Sequence, residues 1–403
     1  MTGLRHLVLV YAAALLAQSN PVEQAWALLA KGERPEAIRL LYDIVKTNPR
    51  DADARLLLGS VLQEDGDRAG SIAQLTEAVK LRPRSAEAQN ALGEACNAFG
   101  DSKAARPFFE KAVALDPRFA TAHLNLGLVL LQARELDQAA MHLDRAIDLL
   151  GHKPDAAYPH YLRAKVWSEQ NDVAKAAAHL QEAVALRPDF AEAWSDLGDA
   201  RKTMSDNAGA LADFERAVTL APDDPVAQTR LGLQYLDGGK AHLAIVHLEQ
   251  AARLDPTNQS TLYSLQRALR EDGQEKQAAA IKQKLAELLR DKDKNDQRQV
   301  AGMQLNNQGV DLEKSGDLRG ALEKYRAALD LLPGHVGIRV NAAIALLRLG
   351  QWKEGLAELR GAVRQQPENA VFKAALDDAL AQAPVEYGGM GRAPKLLNGA
   401  AKY

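Results

Sequence analysis

Prolines recur along this chain at one interval. Pro49, Pro83 and Pro117 stand 34 residues apart, as do Pro188, Pro222 and Pro256, and then Pro333 and Pro367. A fixed period of that length is the signature of one small structural unit copied end to end. It overrides the two or three globular domains that 403 residues would otherwise suggest, because stacked units grow by addition and share no central core.

Setting each of these prolines at position 32 of a 34-residue unit gives ten units, starting at Gln18, Ala52, Ala86, Ala120, Ala157, Ala191, Pro225, Gln259, Gly302 and Val336. Position 8 is small in nine of them, Gln266 being the exception, and position 20 is small in all ten. Position 27 is Ala except at Ile44 and Leu285. Two helices approach closely only where neither carries a bulky side chain, so these positions mark helix crossings. Position 15 is Gly in seven units, from Gly32 to Gly350. There it can take the positive φ that ends a first helix, A. The proline ends a second helix, B, since it lacks a donor and restricts the residue before it. Apolar residues at helical spacing fill the intervals, as Leu92, Cys96, Phe99, Phe108, Phe109 and Val113 do in the third unit.

Small at 8, Gly at 15, Ala at 20 and 27, and Pro at 32 resemble the tetratricopeptide repeat family. The clearest copy is 86–119, with Gly93, Gly100, Ala105, Ala112 and Pro117. The resemblance covers residues 18–383. It implies an all-α tetratricopeptide-repeat solenoid, with antiparallel helix pairs stacked in a right-handed superhelix and helix A lining a concave groove. It does not fix a function.

Composition agrees with helices. The chain is 47% hydrophobic but only 5% aromatic, so the apolar weight rests on Ala and Leu, which helices accommodate best. A net charge of −3 gives no reason to expect nucleic acid as a partner. The single cysteine, Cys96, can form neither an intrachain disulfide nor a cysteine zinc cage. Its place at position 11 of helix A assigns it to packing.

Before the first unit, Arg5 and His6 precede an apolar run from Leu7 to Ala17 with small residues at its exit. This reads as a signal peptide over residues 1–17 and predicts a secreted or periplasmic protein. The competing reading is a hydrophobic helix that caps the array of a cytoplasmic protein. Asn20-Pro21-Val22-Glu23 predicts the first folded helix immediately afterwards, with Asn as N-cap, Pro at N1 and Glu at N3. No later segment is apolar enough to span a membrane.

The period breaks in three places. Gly151–Ala156 lengthens one turn by three residues. The eighth unit carries Gln266, Lys282, Leu285 and Arg290 at marker positions, and a charged stretch follows it. We therefore expect an array over 18–290, a charged spacer or extended helix over 291–301, and two further units with a capping helix over 302–383. The third break is the glycine-rich tail, 384–403, which is expected to be flexible.

No metal-ligand, phosphate-loop or nucleophile motif occurs. His152 and His160 lack further donors at ligand spacing, and His242 and His247 are turned apart on their helix. The sequence thus predicts no catalysis, no cofactor and no metal. The resemblance implies that helix A positions 2, 5, 6, 9, 12 and 13 face the groove. They include Asn90, Glu94, Asn125, Tyr161, Lys165, Asp196, Asp199, Arg230, Tyr263, Arg267, Asn307 and Asn341. Polar groups with interspersed Tyr suit a protein or peptide partner. The clamp with which chaperone-binding relatives hold an acidic C-terminus is missing, because Glu94 stands beside Asn125 in the best candidate stretch. The asparagine ladder of sugar-transferase relatives is matched only at Asn125, Asn307 and Asn341. The expected function is a non-catalytic interaction scaffold. The alternative is a regulatory or targeting subunit for an enzyme or envelope assembly complex on another chain.

Overall fold

The computed structural model describes residues 20–367 and 369–387. The leader and most of the glycine-rich tail lie outside the described residues. The chain divides into two compact units, one ending at Gln274 and one beginning at Glu275.

In the first unit, seven helix pairs follow one another in chain order. They are α1 (Pro21–Ala30) with α2 (Arg34–Thr47), α3 (Ala52–Glu64) with α4 (Arg68–Leu81), and α5 (Ala86–Ala98) with α6 (Ser102–Leu115). Next come α7 (Ala120–Gln132) with α8 (Leu136–Leu150), α9 (Ala157–Glu169) with α10 (Val173–Leu186), α11 (Ala191–Thr203) with α12 (Asn207–Leu220), and α13 (Pro225–Asp237) with α14 (Ala241–Leu254). A further helix A, α15 (Gln259–Glu271), completes it. Helix α1 starts as the sequence predicts, with Asn20 Oδ1 accepting from Val22 N at 3.1 Å.

The turns between A and B are built on position 15. Position 15 takes positive φ, as at Gly66 (77°) and Gly100 (83°). Where the next residue is aspartate, its side chain caps helix B. Asp67 accepts from Gly70 N, Asp101 from Ala104 N and Asp206 from Gly209 N, each at 2.9–3.0 Å. Arg134, Asn171 and Ser205 occupy the same position with φ of 61°, 61° and 67°. These three units keep the turn without the glycine that eases it. The inserted residues after Gly151 form a 3₁₀ turn, Pro154–Ala156, leading directly into α9.

Small residues at position 8 have a specific neighbour. A Cβ built on Gly59, Gly93, Gly127, Gly198 or Gly232 would come within 2.5–2.7 Å of Leu75, Phe109, Leu143, Phe214 or Leu248 respectively. Each of those is position 24 of the same unit and is fully buried. The large side chain of helix B therefore lies directly on the helix A backbone, and glycine is the condition of that contact.

The second unit begins with α16, a single helix of 41 residues, Glu275–Ser315. The charged stretch expected over 291–301 lies inside it, and residues 291–300 are exposed along its whole circumference. Helices α17 (Leu318–Leu331), α18 (Val336–Arg348), α19 (Trp352–Gln365) and α20 (Ala370–Gln382) follow. In this unit Tyr325 takes the role of the large residue at position 24, over Gly309. Its hydroxyl donates to the buried Glu313 at 2.8 Å, which also pairs with Arg348 at 2.7 Å. Burial, followed by that bond to Glu313, raises the tyrosine pKa. Helix α20 places Phe372 and Ala379 against α19 in the terminal core.

Candidate functional site

The site residues expected from sequence lie on successive A helices, where a regular polar ladder joins them. In this ladder a residue at position 6 reaches back to positions 5 and 9 of the preceding unit. On α7, Asn125 Nδ2 donates to Asn90 Oδ1 at 3.0 Å and to Glu94 Oε1 at 2.8 Å, both on α5. On α11, Asp196 pairs with Lys165 of α9 at 2.6 Å. On α13, Arg230 donates to Ser195 Oγ at 2.7 Å and pairs with Asp199 at 2.8 Å and with Asp196 at 3.2 Å. Neighbouring A helices are about one helix diameter apart, which brings these side chains within reach across the seam.

Five of the expected residues thus form one cluster, Tyr161, Lys165, Asp196, Asp199 and Arg230. The Lys165 ammonium lies 5.1 Å from the Tyr161 ring centre, and Tyr161 packs against Phe190 at 4.9 Å. Four members of the cluster line a cavity of about 540 Å³. Leu131 of α7, Ala164 of α9, Val173 and Leu180 of α10 and Ala200 of α11 give the same cavity an apolar lining. Burial raises the Asp199 pKa, and Asp196 adds to that effect against the pull of Arg230. Burial works against the Lys165 ammonium too, but contacts with Asp196 and Tyr161 outweigh it and raise that pKa. The cavity therefore holds ion pairs that are incompletely solvated and that compete for partners.

The other expected residues are dispersed. Tyr263 is exposed, and Arg267 pairs with Glu271 on its own helix and with Asp237. In the second unit Asn341 Nδ2 donates to Asn306 Oδ1 at 3.0 Å, with both residues buried. Asn307 is exposed, and its neighbour Asn306 takes the ladder position. Asn341 at position 6 reaching Asn306 at position 5 of the preceding unit repeats the Asn125–Asn90 contact of the first unit.

Sequence reasoning missed a second ladder, between positions 4 and 23, which are 19 residues apart. It contains Arg55–Gln74, Gln228–His247 and Arg339–Glu358, and two histidine pairs. His123 faces His142, and His160 faces His179, each with Nδ1 to Nδ1 at 3.0 Å. Position 4 also ties back to the phase-marking prolines. Gln89, His123, Trp194 and Gln228 each donate to the carbonyl of the proline six residues earlier, at 2.8–3.2 Å. These side chains share only a donor of suitable reach, which a search by residue type does not detect. Cys96 is half-buried between two core clusters, and burial raises its thiol pKa. Among the described residues no three donors converge as a metal site.

Profiles of the tetratricopeptide repeat match residues 22–67, 58–118, 98–159 and 161–225, and a second matches 312–382. The chain belongs to the tetratricopeptide repeat family. The Hsp70-Hsp90 organizing protein of Triticum aestivum is 35% identical over 85 residues, which are 21% of this chain and 15% of that protein. Tetratricopeptide repeat protein 36 of Mus musculus is 35% identical over 102 residues, 24% of this chain and 48% of that one. The chain therefore spans less than half of either curated relative. A chain of the APC/C hetero-tetramer Cut9-Hcn1 matches with a TM-score of 0.52 at 21% identity, over 61% of this chain and 48% of that chain. That likeness is one of fold. The tetratricopeptide architecture makes the chain a protein-interaction scaffold in the general sense. Among the described residues no helix is long and apolar enough to cross a membrane.

Proposed function

We propose that this tetratricopeptide protein is a non-catalytic scaffold that holds an extended peptide segment of a partner protein along its A helices, centred on the α9–α11–α13 cavity. One observation carries the reading. The four charged ladder residues Lys165, Asp196, Asp199 and Arg230 converge on a cavity of about 540 Å³ that also has an apolar lining. Pockets of this size take a few side chains of a peptide. The ion pairs offer both signs of charge, so a segment carrying a charged group beside an apolar one exchanges one internal pair for an intermolecular one. The scaffold is already ordered, which lowers the cost of binding.

The name of the wheat relative describes an organiser of Hsp70 and Hsp90. Glu94, bonded to Asn125 at 2.8 Å, puts a carboxylate where an acidic chaperone tail would have to lie, and we do not extend that partner to this chain. Export is part of the proposal and is supported by the basic start and apolar run before Asn20. The N-terminal sequence of the mature protein tests it. A chain beginning close to Gln18 agrees, and an intact Met1 contradicts it.

The binding reading is tested by selecting a random peptide library against the full chain and titrating the enriched peptides by calorimetry. We expect Asp199→Ala and Arg230→Ala each to weaken binding about tenfold or more, equivalent to about 1.4 kcal/mol. Unchanged affinity in both variants contradicts the assignment.

A further inference from the structure

Of the helices that line the cavity, α7, α9 and α10 each carry one ring of a histidine pair, and α8, packed on α7, carries the fourth. Leu131 of α7 lines the cavity, as do Lys165, Ser168 and Glu169 of α9 and Val173 and Leu180 of α10. On those same helices His123 (α7) meets His142 (α8), and His160 (α9) meets His179 (α10), with ring centres 5.2 Å apart in both cases.

The protons in the first pair follow from its partners. His123 Nε2 lies 3.2 Å from the Pro117 carbonyl, which can only accept, so that nitrogen carries a proton. In neutral His123 the Nδ1 is therefore an acceptor, and His142 Nδ1–H donates to it. A first added proton enters at His142 Nε2, outside the bond, and leaves the bond intact. A second must enter at His123 Nδ1, where it confronts His142 Nδ1–H at 3.0 Å. The doubly protonated pair loses its bond and sets two positive charges against each other. At the second pair, too, one Nδ1 must donate and the other accept.

We propose that His123–His142 and His160–His179 act as proton-operated latches on the cavity. A second proton on each pair releases helix A from helix B and loosens the site between α7, α9 and α11. The regulatory part rests on the binding reading above, whereas the latch itself does not. Burial, the largest influence, lowers the pKa of all four rings. Charged groups facing the first pair are Asp116 and Arg145 toward His123 and Glu110 of α6 toward His142. Facing the second are Asp144 of α8, Glu182 of α10, Arg163 of α9 and His152. The carboxylates favour the first proton. Arg145 and Arg163 oppose it, and none of these groups relieves the collision at the facing Nδ1 atoms.

The chain supplies its own control. At the same two positions Gln228 faces His247 at 2.8 Å and donates to the Pro222 carbonyl. That pair keeps the architecture with only one ring to protonate. The variant His123→Gln/His160→Gln copies it into both latches.

The test is hydrogen–deuterium exchange on the full chain at pH 7 and pH 4.5, corrected for intrinsic rates, in wild type and in that variant. Helices α7–α10 of the wild type are expected to open at least about tenfold more at the lower pH than those of the variant, which is one unit of differential protonation. The cavity segment 196–203 on α11, which carries no latch histidine, is expected to open with them. Equal acid responses in the two proteins overturn the latch. An unresponsive α11 segment overturns its coupling to the cavity. Neither readout needs a ligand, so failure here is separable from failure of the binding reading.

Discussion

Ser205 shows what a single residue decides. It is exposed, with φ of 67°, where seven units have glycine. The left-handed conformation costs a non-glycine residue about 1 kcal/mol or slightly more. Ser205→Gly is therefore expected to stabilise the protein by about 1 kcal/mol, read from the midpoint of a denaturant titration. The reverse logic holds at Gly232, where a Cβ would meet Leu248 Cγ at 2.6 Å. Gly232→Ala is expected to destabilise by about 1–3 kcal/mol. The double variant Gly232→Ala/Leu248→Ala should cost less than the sum of the two single changes, because relieving the clash couples the sites. Protonation acts at this scale as well. Burial lowers the His179 pKa from 6.5 to about 4, so as pH falls through that window the unfolded chain takes up the proton first. The thermal midpoint should accordingly fall between about pH 6.5 and 4, more steeply in wild type than in His123→Gln/His160→Gln.

At the scale of the element, the sequence disclosed most of the fold because each marker residue does one local job. Glycine at 15 turns the chain, small residues at 8 and 20 admit a neighbour, and proline at 32 stops helix B. Starts such as Pro21 for α1 were legible because capping chemistry is local. The pairing of Asn125 with Asn90 and Glu94, or of His160 with His179, was not legible. It depends on which turns of two different helices come face to face, and one sequence carries no direct trace of that distance. Where no proline follows the eighth unit, α16 runs from Glu275 to Ser315 as one helix. Its residues 291–300 have no packed face, so backbone bonds and an exposed Lys294–Asp291 ion pair hold them. Amides 291–300 should therefore exchange much faster than those of 304–313, where Gly309 lies under Tyr325 and Glu313 bonds Tyr325 and Arg348. Equal protection would show that this stretch packs against something.

For the whole molecule, nearest-neighbour stacking makes stability a sum of units and seams. The seams are polar between successive A helices, while A and B meet over an apolar core crossed by the ladder of positions 4 and 23, so the proposed binding chemistry and most of the folding chemistry occupy different surfaces of the same helices. Substituting the A-face residue Asp199, whose neighbours are charged, should change binding more than stability, whereas substituting Leu248 should do the reverse. The central claim is that a partner segment lies along the A helices at the α9–α11–α13 cavity. Amide chemical-shift mapping of a selected peptide on the full chain tests it most directly. The account predicts the largest shifts at Lys165, Asp196, Asp199 and Arg230, with little change on the outer faces of α10 and α12. The opposite pattern, with shifts on those B helices and a silent cavity, would contradict it.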